Sequence, residues 1–270
     1  MLVNGAPAES VPATDRGLAY GDGVFRTLRA LNGEPLYWAR HYAKLAEDCG
    51  VLGIECPDAA LLLAETRAVA RAQSQAVVKI IVTRGSGVRG YAPPNPCTPT
   101  RVVSSAPRPQ LPHAQAGITA HLCRLRLSHQ PALAGIKHLN RLENILSRAE
   151  WNDPAIAEGL LLDQHGFAIG GTMSNVFIVE HGALITPILS RCGVSGVTRT
   201  RIIDIAAKSH IACRTEHLPL QRVLDADEVF FVNSLIGLWP AARMGEHTWR
   251  VGNIALEMYH ALDDDDAALA

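Results

Sequence analysis

The stretch VVKIIVTRGSGVRGYAPP, residues 77–94, carries glycines at 85, 87 and 90 in the spacing G-x-G-x-x-G, directly after a run that reads as a buried strand. A dinucleotide-binding loop of that spacing has to open into a helix, because the helix N-terminus holds the pyrophosphate. Here the chain enters YAPPNPCTPT, where Pro93, Pro94, Pro96 and Pro99 remove backbone donors and hold the chain extended. The acidic residue expected about 20 positions further on is also missing, since that region reads TRVVSSAPRPQ. A nucleotide fingerprint is therefore set aside, and the glycine-rich loop needs another purpose.

The 270 residues are 48% hydrophobic and carry a formal net charge of -1. That is enough apolar material for one large domain or two smaller ones. A near-neutral balance offers no electrostatic case for nucleic acid or an anionic membrane, which leaves small molecules as the expected partners. Six scattered cysteines, without a C-x-x-C pair or histidines at zinc-ligand spacing, read as reduced thiols and give no metal site. The N-terminus MLVNGAPAES lacks a charged region followed by an apolar one, and no apolar run approaches membrane-spanning length. The expected location is the cytoplasm.

Along the chain, Asn4-Gly5 and Asn32-Gly33 mark tight hairpin turns. Apolar spacing predicts a helix from Tyr37 to Gly50, closed by that glycine, and a second over about Asp58 to Ala72, capped by Asp58. VVKIIVTR and RVVSSA read as strands. The Pro-rich segment from Ser105 to Gly117 reads as the break between domains. Beyond it come strands near ITAHLCRL, GLLLD, FAIGG, VFIVE, GALITP and EVFFVN, with helices near Leu139 to Trp151 and Thr198 to Ser209. The tail DDDDAALA reads as solvated and frayed. Strands and helices mix without strict alternation, which predicts an α+β fold with an N-terminal domain over 1–108, a linker over 109–117 and a C-terminal domain over 118–270.

Only four lysines are present: Lys44, Lys79, Lys137 and Lys208. Lys44 and Lys208 fall on amphipathic helices, where a solvated charge is the plain reading, and Lys79 sits inside a strand. Lys137, in ALAGIKHLNRLENIL, lies between an apolar strand end and a helix. A lysine partly desolvated at such a junction has its amine available for Schiff-base chemistry. A structural or surface role remains the alternative on these residues alone.

AGIKHLNRLE, TDRGLAYGDGVFRT, TRGSGVRGY and GGTMSNVF together resemble the fold-type IV pyridoxal-phosphate enzymes, in order and over nearly the whole chain. The resemblance implies two α/β domains of the D-amino-acid aminotransferase type, an active site at the domain interface, a pyridoxal 5'-phosphate cofactor and a homodimer. GIKHLNRLE and RGSGVRGY are most similar to the lyase branch, which releases 4-aminobenzoate and pyruvate from 4-amino-4-deoxychorismate in folate biosynthesis. The D- and branched-chain amino-acid aminotransferases of the same fold are the alternative, and a non-catalytic cofactor-binding protein is a third.

Carried over residue by residue, the resemblance makes Lys137 the cofactor-bound lysine and proton carrier, with Thr27 a second catalytic group. Lys44 stands where the family has a phosphate-binding arginine. Gly196, Val197 and Thr198, at the start of a helix, together with Ser234 and Leu235, match the phosphate contacts. Arg89 and Tyr91 occupy carboxylate-trapping positions, so the loop glycines would serve its turns. Phe25 and Arg26, with Thr27, match the strand that faces the cofactor and are substrate contacts, with Arg26 standing where many members carry glutamate. In GFAIGG, Gly170 replaces the glutamate that pairs with the pyridine nitrogen, which makes the cofactor a weaker electron sink. That loss should harm a transaminase most and a lyase that creates an aromatic ring least.

Overall fold

Asn4 and Gly5 both adopt positive φ, 51° and 87°, which is the backbone of a type I′ turn and whose right-handed twist suits a hairpin. They join β1 (Leu2–Val3) to β2 (Ala6–Pro7). The structure, a computed structural model, describes residues 1–109 and 116–268. The chain separates into two compact units, Met1–Pro109 with Ile136–Asn140, and Gln110–Gly135 with Arg141–Ala270. Most of the expected 109–117 linker, residues 110–115, lies outside the described residues.

In the first unit, α1 (Arg16–Tyr20) leads into β3 (Gly23–Leu31), and the Asn32-Gly33 turn returns the chain as β4 (Glu34–Pro35). Then come α2 (Trp38–Leu52), α3 (Ala59–Ala70), β5 (Gln75–Thr83) and β6 (Thr100–Pro107). The six-stranded sheet runs β2-β1-β6-β5-β3-β4. Its buried face sets Val24, Leu28, Val78, Ile80, Val82 and Val103 against Leu45, Cys49 and Leu62 of the helices. Asp58 caps α3, accepting from the amides of Ala60 and Leu61 at 2.8 and 3.0 Å. The expected end of α2 at Gly50 is corrected: the helix runs through it and closes at Gly53, which takes the left-handed conformation at φ 62°.

The second unit holds β7 (Ile118–Leu127), α4 (Leu142–Arg148), β8 (Ile156–Asp163), β9 (Ala168–Gly171), β10 (Asn175–Glu180) and β11 (Ala183–Pro187). α5 (Val197–Lys208), β12 (Cys213–Glu216), α6 (Leu220–Leu224), β13 (Glu228–Asn233), β14 (Gly237–Met244), β15 (His247–Thr248) and α7 (Asn253–Ala267) follow. Its sheet runs β12-β11-β10-β13-β14-β7-β8-β9, with β15 beside β14. β10 and β13 are buried on both faces, which explains their unbroken apolar runs VFIV and VFFV.

Two expectations change here. The helix after Lys137 is shorter than Leu139 to Trp151, because residues 137–139 run extended along β3 and only Leu142 begins the helix. The acidic tail is not frayed over Asp263 to Asp266. These residues belong to α7, whose Ala255, Met258 and Leu262 are buried, and the buried Arg201 pairs with Asp266 at 3.0 Å. No helix among the described residues is long and apolar enough to cross a membrane.

Candidate active site

Along β3 side chains alternate, so Val24, Arg26 and Leu28 turn into the core while Phe25 and Thr27 lie half-buried on the other face. The segment around Lys137 adds itself to the free edge of this strand. Phe25 N donates to Lys137 O at 2.9 Å, and Leu139 N donates to Gly23 O at 2.9 Å. Lys137 N donates to Asp48 Oδ2 at 3.0 Å. Both backbone polar groups of Lys137 are thus held, and its Nζ sits 4.8 Å from the centroid of the Phe25 ring. Lys79 Nζ lies 5.1 Å from the same ring.

Arg26 does not share the face of Phe25 and Thr27. Its guanidinium donates to Asp48 Oδ2 and, at 3.5 Å, to Lys44 O. Burial pushes its pKa down from the ordinary arginine range, with the Asp48 carboxylate working the other way. Lys44 Nζ completes the cluster, 2.7 Å from Asp48 Oδ1 and 2.6 Å from Glu47 Oε1. Asp48 is 0% exposed. One buried carboxylate therefore ties Arg26, Lys44 and the Lys137 backbone together, a role the sequence reading did not assign.

The glycine-rich loop is built by turns. Gly85 has φ 87°, and a Cβ there would lie 1.9 Å from Thr98 O; Gly90 has φ 111°. Arg84 is structural, with Nε 2.8 Å from Asp22 Oδ2 and Nη2 2.6 Å from Leu52 O. Burial would raise the Asp22 carboxyl, but Arg84 and Arg16 together hold it below its usual range. Arg89 and Tyr91 stand exposed on this loop, Tyr91 at 85%.

In the second unit, Gly196 is the N-cap of α5 and offers no side chain to the first-turn amides. A Cβ at Gly196 would meet Asn175 Oδ1 at 2.3 Å. Thr198 Oγ1 lies 3.3 Å from Ser234 Oγ. An uncapped helix N-terminus with two converging hydroxyls suits a phosphate monoester. The Leu235 amide is already engaged, donating to Asn233 Oδ1 at 2.8 Å.

Glu158, also 0% exposed, was not singled out from sequence. It accepts from Gly159 N and Thr172 N at 2.9 Å, from Ser174 Oγ at 2.7 Å and from the Thr172 hydroxyl and Met173 N, fixing the turn that follows Gly170. At Gly170 itself a Cβ would meet Ser174 O at 2.7 Å, so any larger residue there requires the backbone at Ser174 to shift. Glu158→Ala leaves several buried donors unpaired. It is expected to lower stability by about 3 kcal/mol, read from the midpoint of urea unfolding, while Glu158→Gln should cost less.

Two α/β units, one carrying an edge-bound lysine and one an uncapped helix beside two hydroxyls, have the architecture of the fold-type IV pyridoxal-phosphate enzymes. The chain belongs to the amino-transferase class IV family, whose profile matches residues 23–244. It is similar to the crystal structure of 4-amino-4-deoxychorismate lyase from Pseudomonas aeruginosa, with 45% identity, a TM-score of 0.94 and 98% of each chain covered. It is 34% identical over 242 residues to aminodeoxychorismate lyase of Vibrio harveyi, covering 89% of both proteins. A Methanocaldococcus jannaschii protein named as a candidate branched-chain-amino-acid aminotransferase is 32% identical over 235 residues, covering 85% of this chain and 81% of that protein.

Proposed function

We propose that this chain is a lyase converting 4-amino-4-deoxychorismate to 4-aminobenzoate and pyruvate, the step that supplies 4-aminobenzoate for folate. The observation that carries the reading is the likeness to the Pseudomonas aeruginosa lyase across nearly the full length. The cofactor is pyridoxal 5'-phosphate, which when bound supplies the electron sink for the carbon beside the substrate amine. The Gly196 and Val197 amides, the Thr198 and Ser234 hydroxyls and Lys44 are assigned to its phosphate. For Lys44 this role competes with its ion pair to Asp48.

Lys137 takes the proton from C4 of the substrate. The C3–O bond then breaks, the enolpyruvyl oxygen leaves with the electron pair, and the ring becomes aromatic. The released enolate gains one proton on its methylene carbon, from the protonated Lys137 amine or from the Thr27 hydroxyl, which Lys137 then reprotonates, so one proton leaves C4, one enters pyruvate and nothing is oxidised or reduced overall. Arg89 and Tyr91 are assigned to a substrate carboxylate, and Phe25 to the wall beside the Lys137 amine. Arg26 is reassigned from substrate contact to the charge partner of Asp48, because the alternation of β3 turns it the other way.

Supplying purified protein with aminodeoxychorismate and following 4-aminobenzoate fluorescence tests the reading. An aminotransferase would instead consume an amino donor together with 2-oxoglutarate and make no 4-aminobenzoate. The glycine at position 170 argues for the lyase, since an aminotransferase has to pass through the sink-dependent carbanion in both directions.

The enzyme is assigned to the cytoplasm, acting on a small molecule without nucleic acid or membrane, as a homodimer. Leu142, Ile145 and Leu146 form an apolar stripe on α4, 70, 60 and 58% exposed, with Met173 50% exposed. A second copy of this chain is assigned to cover it. Ile145→Asp is expected to shift the protein towards monomer in sedimentation analysis; an unchanged dimer would place the interface elsewhere.

A further inference from the structure

The loop that carries Arg89 and Tyr91 is exposed, yet its backbone is gripped from below by one side chain. Arg16 is only 4% exposed. Its Nη1 donates to Gly90 O at 2.9 Å and Ala92 O at 3.4 Å, and its Nη2 donates to Tyr91 O at 2.9 Å. Its Nε is fixed by Asp22 Oδ2 at 2.8 Å. Three successive carbonyls thus converge on one planar fork, a geometry that lysine cannot reproduce. Tyr20 adds a second hold: Gly90 N donates to its hydroxyl at 3.2 Å, and its ring lies 5.4 Å from that of Tyr91. Arg16 in turn lies over the Tyr20 ring at 5.0 Å. The stem is tied as well, since Arg16 N donates to Gly85 O at 2.9 Å and Gly87 N to Thr14 O at 3.2 Å.

We infer that Arg16 is a positioning residue, which fixes the backbone of residues 90–92 so that Arg89 and Tyr91 are held in place for the substrate carboxylate before it binds. This rests on the assignment of Arg89 and Tyr91 made above. A carboxylate trap that is already ordered loses little freedom on binding, whereas a loosened one has to be ordered by the substrate itself. The expected consequence of loosening is a weaker grip on substrate, with the chemistry at Lys137 left largely as it was.

The test compares wild-type holoenzyme with Arg16→Lys, Tyr20→Phe, Arg89→Ala and the double variant Arg16→Lys/Arg89→Ala. For Arg16→Lys, KM for aminodeoxychorismate should rise roughly tenfold or more, with kcat changing far less. The double variant should lose little beyond Arg89→Ala alone, because both act through one contact. Trypsin cleavage between Arg89 and Gly90 should speed up at least about tenfold in Arg16→Lys and less in Tyr20→Phe. That measurement needs no substrate, so it decides the clamp even if the lyase reading fails, and Tyr20→Phe decides it should Arg16→Lys not fold. Cleavage as fast in wild type as in the variants would overturn the inference. So would a loss confined to kcat, or losses from Arg16→Lys and Arg89→Ala that simply add.

Discussion

Asp48→Ala is expected to lower the unfolding free energy by about 3–5 kcal/mol, the largest stability loss of any single substitution discussed. The carboxylate is fully buried and its partner Arg26 is only 3% exposed. Removing it leaves a guanidinium in the core with no anion, and Arg26 Nε already lacks a hydrogen-bond partner among the described residues. A buried charge stranded in this way costs far more than the intact pair contributes. The neighbours give the prediction its shape. Asp48→Asn keeps an oxygen for the Lys137 amide but removes the charge, so it should fall between wild type and Asp48→Ala. Arg26→Met combined with Asp48→Asn removes the stranded charge and should recover part of the loss. Urea unfolding followed by circular dichroism measures all three; equal midpoints for Asp48→Ala and wild type would mean that the cluster is not a structural hub.

The effect should extend to the chemistry, because Asp48 also holds the backbone of Lys137. Lys137→Ala has the largest expected effect on turnover. Its amine is the only group assigned to remove the C4 proton, and general acid-base groups contribute about 10²–10⁴-fold, so turnover should fall by roughly that factor or below detection. The backbone bonds to Phe25 N and Asp48 do not depend on the side chain, so the variant should keep wild-type stability. Lys137→Arg should not restore activity, since a guanidinium stays protonated and cannot accept the proton.

Much of this was legible in the residues. Both Asn-Gly hairpin turns, the capped start of α3 and the unbroken apolar strands follow from local chemistry, and the local rule held. What the residues do not give directly falls into two kinds. Some signals are present in the local pattern but compete with a second one. The alternation of VFRTLRAL places Arg26 with Val24 and Leu28 rather than with Phe25 and Thr27, although a charge at that position points by itself to a substrate contact. Asp48 lies in the stripe His41, Leu45, Asp48, Cys49, whose helical spacing marks all four as buried. A carboxylate there demands a partner. The spacing of Ala255, Met258 and Leu262 likewise marks α7, hidden by the run of four aspartates that ends it.

Other features depend on long-range pairing, which local patterns do not carry. That residues 136–140 leave the second unit to join the first follows from their bonds to Gly23 and Phe25, more than 100 positions earlier in the chain. The same holds for Arg16, whose sequence neighbours give no sign that it will meet the carbonyls of residues 90–92. Four of the five donors around Glu158 are drawn from the turn at Thr172 to Ser174, which ordinary sequence reading treats as a loop.

The most direct measurement is 4-aminobenzoate formation from aminodeoxychorismate by wild-type protein and by Lys137→Ala, followed by fluorescence under identical conditions. Product from wild type and none from the folded variant is the result this account predicts. Product from the variant at a wild-type rate, or a wild type that makes no 4-aminobenzoate yet transfers an amino group to 2-oxoglutarate, would contradict it.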